Sequence, residues 1–212
     1  MRTPMNALLR WGLAALGSLI ILMLATPTFA HHPFGGMTPE NWVQGFLSGM
    51  GHPVIGPDHL VFTIIVGLLA TQLPPYWAVP AAFLTAALAG TGLHLMELNL
   101  PTPEFLISFS VLLFGGLAVG GRYLKTVFVI AMAAVAGLFH GYAYGEAIVG
   151  AEITPLLSYL IGFTMIQGGI IAGSFLIFQK LLDPDRHLEW LRYAGLVVLG
   201  IGAAFLSSVV LG

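Results

Sequence analysis

Apolar residues in this chain come in long blocks, with polar positions confined to short intervals between them. Crossing a hydrocarbon core takes about 20 apolar residues, and roughly 17 to 25 are used. Six blocks meet or approach that length: about Trp42 to Leu73, Trp77 to Leu95, Glu104 to Gly121, Thr126 to Tyr142, Pro155 to Phe178 and Trp190 to Leu211. Pro74 and Pro75 close the first, because proline cannot continue the backbone ladder. The expected fold is an all-α integral membrane protein with six transmembrane helices in one domain over residues 42–212. A further apolar block comes first, where Arg2 and Arg10, the run from Trp11 to Leu24, and Thr28-Phe29-Ala30 have the n-region, h-region and cleavage site of a signal peptide. Residues 1–30 are then a cleaved signal peptide and 31–41 an extracytoplasmic N-terminal segment of the mature chain.

The first spanning block is interrupted by His52-Pro53-Val54-Ile55-Gly56-Pro57-Asp58-His59. Gly51, Pro53, Gly56 and Pro57 are expected to unwind the backbone, so that the first transmembrane helix is broken by a Gly/Pro-rich metal-binding stretch. Irregular backbone at membrane depth is tolerated only inside protein or along a polar cavity. Ionisable side chains there are costly and are read as functional by default, and broken helices beside ion sites recur in transporters.

Composition sharpens this picture. With 58% hydrophobic and 8% charged residues, the chain departs from soluble domains, where about a quarter are charged. Membrane lipid is therefore a partner. Seven Lys and Arg leave no basic stripe for phosphates, so nucleic acid is not. The absence of cysteine removes thiolate metal sites, and a metal held by imidazole and carboxylate would be nickel, cobalt, zinc or copper rather than magnesium. If the mature N-terminus lies outside and each block crosses once, Arg122, Lys125, Lys180, Arg186 and Arg192 all fall inside, which satisfies the positive-inside rule. The C-terminus is then outside as well.

Candidate residues follow from spacing. His52, Asp58 and His59 form the most specific group, with Asp58 either a ligand or a partner orienting a ring nitrogen, although Asp58 after Pro57 also suits a helix start. His94 and Glu97, three apart, would share a helix face. His140 ends the fourth block beside Tyr142, Tyr144 and Glu146, where the two tyrosines alone would read as an aromatic belt. Glu104 suits a helix N-terminus or the transport path, and Gln167, near the midplane, needs partners there and is placed along the path. This topology puts His31, His32, His52, His59, His94 and His140 at or near the outer face. Polar breaks at Gly51-His52 and His140-Gly141, three crossings apart, carry a faint trace of an inverted repeat.

Taken together, His52-Pro53-x-x-Gly56-x-Asp58-His59, Pro103-Glu104 with Ser110-Val111-Leu112-Leu113-Phe114-Gly115, and Phe139-His140-Gly141-x-Ala143-x-Gly145-Glu146 resemble the HupE/UreJ family of nickel and cobalt permeases over essentially the whole mature chain. The resemblance implies a multi-pass bacterial inner-membrane permease that imports Ni2+ or Co2+ as substrate. His52, Asp58, His59, His140, Glu104 and Glu146 would be functional. Tyr142 and Tyr144 stand where many members resemble one another in carrying further histidines, which leaves cobalt as good a substrate as nickel. No ATP-binding loop is present and no organic cofactor is expected. A homo-oligomer is compatible with the sequence. Two other classes use the same residues: a metal-dependent intramembrane hydrolase with Ser48, Ser108 or Ser110, and a metal-binding accessory protein without flux.

Overall fold

A computed structural model describes residues 38–120 and 125–211. Residues 1–30, expected from the sequence to be a signal peptide, and His31, His32 and Arg122 lie outside the described residues. The described chain forms seven α-helices: α1 Trp42–Ile55, α2 Pro57–Ala70, α3 Ala78–Leu95, α4 Pro103–Gly120, α5 Thr126–Glu146, α6 Ile153–Leu181 and α7 His187–Leu211. Five of them, α3 to α7, are long and apolar enough to cross a membrane, and α1 with α2 meets that criterion as a bent pair. Bulky apolar side chains such as Val127, Leu181 and Leu211 stay exposed on the bundle's outside, as a lipid-facing surface requires.

The interruption in the first block is narrower than its sequence suggests. Gly51 and Pro53 lie within α1, and the break is confined to Gly56, where the chain bends by 80°. Both helix ends have local causes. Asn41 caps α1 by accepting from the Gln44 amide at 3.0 Å, and Pro57 opens α2 where its missing N–H is no loss. A Cβ on Gly56 would come within 2.6 Å of the His59 ring, so the residue at the bend must be glycine for His59 to fold back against it. The fourth block, by contrast, runs on as helix to Glu146, carrying Gly141, Tyr142, Tyr144 and Gly145 with it.

Glycine sets the helix packing. In the α3–α5 pair, Gly137 lies on Phe83, Gly141 on Ala87 and Gly145 on His94, while Gly90 lies on Leu138 and Tyr142. The numbers rise together, so the two helices are parallel. In the α1–α6 pair, Gly45 lies on Pro155, Gly49 on Tyr159, and Gly162 on Phe46 and Met50, again in parallel. α4 and α7 run antiparallel, with Gly115 on Leu199 and Gly202 on Leu112. Most of these glycines face backbone, which allows the close approach that membrane helices use in place of a hydrophobic driving force. The body of α2 lies among the pairs and touches α1, α3, α4, α6 and α7. Its Phe62, Ile65, Val66 and Leu69 are fully buried in the core.

This register gives the bundle two unlike ends. The start of α1, the end of α3, the start of α4, the end of α5 and the start of α6 gather Glu40, Glu97, Glu104, Glu146 and Glu152. The start of α5, the end of α6 and the lead into α7 gather every Lys and Arg of these segments, Lys125, Lys180 and Arg186, together with Asp183 and Asp185. At this basic end, Arg186 pairs with Glu189 at 2.7 Å and lies over the Trp190 ring at 5.2 Å.

Gly141→Val should lower the unfolding temperature in detergent sharply, because its Cβ would enter the Ala87 backbone and overpacking costs about 1–3 kcal/mol or more. Gly120→Ala meets nothing within 4 Å and should leave it unchanged. Equal melting of the two variants would contradict the packing register.

Candidate metal-binding site

Just beyond the bend, five helices bring polar side chains to one buried place. α1 supplies His52, α2 His59, α4 Ser110, α5 His140 and Tyr144, and α6 Tyr159 and Gln167, all of them buried. His52 stands ten positions into α1 and His140 six before the end of α5, so the cluster lies inside the bundle, away from the helix ends. Tyr144 packs on both of the first two histidines, its ring 5.0 Å from that of His52 and 4.5 Å from that of His59. The His52 and His59 rings are 5.8 Å apart.

Hydrogen bonds assign the ring protons. Ser110 Oγ is 2.7 Å from the Ile107 carbonyl and 2.9 Å from His140 Nε2, and its single proton goes to the nearer acceptor. His140 Nε2–H therefore donates to Ser110. With both rings neutral, His140 Nδ1 carries the lone pair and accepts from His59 Nδ1–H across 2.7 Å. His59 is thereby held as the tautomer whose Nε2 carries the lone pair. The same logic applies to His52. Tyr159 donates its hydroxyl proton to the Tyr144 carbonyl at 2.8 Å, so at 3.3 Å His52 Nδ1 is the donor to Tyr159 and its lone pair is on Nε2. A metal-binding histidine commonly donates its other ring N–H in this way.

Gln167 accepts from Tyr144 at 3.4 Å and donates to the Phe163 carbonyl at 3.3 Å, which gives this fully buried amide its partners. On its other side the cluster rests on apolar rings. Phe62 lies 4.4 Å from the His140 ring, with Phe83 and Phe114 at 5.2 and 4.7 Å from Phe62. Toward the basic end, the way is filled by the core around α2.

Other expected residues stand apart from this group. Asp58 is half-buried in the first turn of α2, where its Oδ1 accepts from the His59 amide at 2.9 Å. A carboxylate there also complements the helix N-terminus. Glu146 is exposed at the last position of α5, and Glu104 is exposed in the first turn of α4. His94 and Glu97 do not share a helix face: α3 ends at Leu95, and Glu97 is exposed with a positive φ of 59°. His94 instead packs on Tyr142 at 4.5 Å, its buried Nδ1 without a hydrogen-bond partner. Among the described residues, no three His, Asp or Glu side chains converge closely enough to hold one ion as they stand. His140 has turned to Ser110, and Asp58 to its own helix. Sequence reasoning missed Tyr159, an unremarkable aromatic in an apolar block, and it read Ser110 as a motif residue and a candidate nucleophile, not as a partner of His140.

A family model described as HupE / UreJ protein matches residues 19–205. The chain belongs to the HupE/UreJ family. Protein HupE of Rhizobium leguminosarum bv. viciae is 31% identical over 142 residues, which are 66% of this chain and 71% of that protein. No solved structure matches. In this HupE/UreJ chain the motif residues His52, His59 and His140 thus meet in space, whereas Glu104 and Glu146 mark the acidic end.

Ser110→Ala would strand the His140 Nε2–H in apolar surroundings, at a cost of about 1–3 kcal/mol. Ser110→Thr keeps the acceptor. Thermal unfolding should therefore separate the two, with Ala well below the parent and Thr near it. An Ala variant as stable as the parent would show that Ser110 does not hold the ring.

Proposed function

We propose that this protein is a secondary or facilitated permease carrying a divalent transition metal, Ni2+ or Co2+, across the bacterial inner membrane into the cytoplasm. The observation that carries this reading is the buried His52, His59 and His140 cluster beside the bend between α1 and α2. Two imidazoles on one ion, with bonds of about 2.1 Å, have ring centres roughly 4.5–6 Å apart. The His52 to His59 separation of 5.8 Å falls within that span. With two nitrogen donors, and Tyr144 in place of a further imidazole, binding is weaker than in a site richer in imidazole, which suits the release that conduction requires.

Six crossings follow if α3 to α7 each span once. α3 and α6 then start on opposite sides, and because α1 starts beside the start of α6, the bent α1–α2 pair must complete one crossing before α3 begins. This favours a broken span over a re-entrant loop. The positive-inside rule sets the basic end in the cytoplasm, with the mature N-terminus and the C-terminus outside. The acidic end then faces the incoming cation, and its carboxylates raise the local ion concentration. His94, Glu97, Glu104, Tyr142 and Glu146 lie at this mouth, and Asp58 stands next to His59 in the first turn of α2. A doubly charged ion moving inward gains about 4.6 kcal/mol per 100 mV, twice the single-charge value, so the membrane potential can drive uptake.

The Ser110–His140 contact is what a hydrolase reading would cite, since a nucleophile needs a base within such reach. Here the hydroxyl proton goes to Ile107 and the imidazole donates, the reverse of that arrangement.

Purified protein in proteoliposomes should take up radioactive Ni2+, with Co2+ competing. His52→Ala and His59→Ala should each reduce uptake at least tenfold without loss of protein. Normal uptake by both would refute the site, and binding without flux in the parent would favour an accessory protein.

Uptake should also depend on external pH. An imidazole must be neutral to bind metal, and its ordinary pKa is about 6.5. Protons therefore compete as pH falls, so uptake should drop steeply between about pH 7.5 and 5.5. A rate that climbs throughout that interval would point to proton-driven transport not limited by imidazole.

A further inference from the structure

Two of the glycine-packed helix pairs described above are copies of each other. Gly45 and Gly137 are 92 positions apart, as are Gly49 and Gly141, and the residues they rest on, Pro155 and Tyr159, are each 72 positions beyond Phe83 and Ala87. The reverse contacts repeat with the same two offsets. Gly90 rests on Leu138 and Tyr142, while Gly162, 72 positions later, rests on Phe46 and Met50, each 92 positions earlier than its counterpart. Helical periodicity accounts for contacts four residues apart within one pair. It does not require the returning glycine to fall at the same register in a second pair. The third pair maps onto itself: Gly115 rests on Leu199 and Gly202 on Leu112, and both residues of the second contact are related to the first by 87 positions.

The exchange of α1 with α5, α3 with α6 and α4 with α7 therefore reproduces these three pairs, whereas the α4–α5 contact has no α1–α7 equivalent among the described residues, α2 touching both α1 and α7 instead. Between the first and second exchanged helices the offset falls by 20 positions, from 92 to 72, which is the 14 residues of α2 with its turns. α2 is the one helix without a counterpart. In the six-crossing reading each exchanged pair runs in opposite directions, so the relation is a twofold axis in the membrane plane. A residue that touches its own counterpart lies near that axis. His52 and Tyr144, related by the same 92 positions, touch with their rings 5.0 Å apart.

We infer that the fold is an inverted repeat of three spans with α2 added to its first half, and that the α1–α6 pair rocks against the α3–α5 pair about an axis through the buried histidine cluster. This rests on the transport reading for its purpose, though not for its geometry. Each pair is locked within itself by backbone contact at glycine, whereas at the cluster the two pairs meet through His52, Tyr159 and Gln167 on one and Tyr144, by its side chain and its carbonyl, on the other. An ion held on the axis can face either side as the pairs tilt.

The chain has no cysteine, so spin labels can be placed on introduced cysteines alone. Met96→Cys with Ile153→Cys reports across the two pairs at the acidic end, and Trp77→Cys with Leu181→Cys does so at the basic end, all four positions being exposed. Trp77→Cys with Val127→Cys lies within the α3–α5 pair and serves as the control. Distances are measured by pulsed electron resonance in nanodiscs, without metal and with Ni2+. The two cross-pair distances should change in opposite senses by about 2–5 Å while the control holds. Changes of the same sign, an equal change in the control, or no change at either end would overturn the rocking. Ni2+ uptake by the same variants in proteoliposomes is read separately, so that absent flux counts against the transport reading and uptake without opposed changes counts against the rocking alone.

Discussion

The bond between His59 Nδ1 and His140 Nδ1, 2.7 Å long and shut off from water, is the contact on which the rest of the site depends. No solvent reaches membrane depth to satisfy an imidazole, so each ring must find its partner in the protein. His140 finds one on each side, Ser110 and His59, and the chain of bonds ends at a backbone carbonyl. The result is a pair of rings, His52 and His59, whose donor nitrogens are engaged by neighbours and whose lone pairs are on Nε2. A second arrangement in which His140 released His59 would change which nitrogens face an ion. The structure described here, with no three ligands converged, has the polarity of a metal site and the geometry of a hydrogen-bonded one.

Backbone contact at glycine makes this burial possible. Gly141 and Gly145 bring α5 against α3, and Gly49 brings α1 against Tyr159 of α6, so that residues from five helices reach one point. A larger side chain at any of these glycines would separate the helices that carry His140 and His52. Glycine at 56 serves differently, since it lets the chain turn by 80° and sets His59 beside His52 rather than a helical turn and more beyond it. Packing and chemistry are thus set by the same residue type at different positions.

Much of this was legible from apolar block lengths, because a membrane span is specified by composition over many residues and tolerates local error. Five of the expected spans appear as single helices, and the interrupted block appears as the bent α1–α2 pair. The limits of the break were not legible. Pro53 near the end of α1 and the glycines of α5 remain helical because neighbouring helices pack against them, which no local propensity encodes. At the site, spacing found His52, His59 and His140, since histidine at membrane depth is rare enough to stand out. It placed Glu97 on a helix that stops two residues earlier. Tyr159 carried no such mark, because a tyrosine in an apolar block reads as packing until its hydroxyl is seen to face a histidine.

The central claim is that His52 and His59 bind the transported ion together. X-ray absorption at the nickel edge of the Ni2+-loaded protein in detergent tests it most directly. Two imidazoles should appear in the coordination shell, with oxygen donors completing it. His52→Ala and His59→Ala should each reduce the count to one, while Ser110→Ala should leave it at two with greater disorder. A shell without imidazole, or one unchanged by either histidine substitution, would contradict the account.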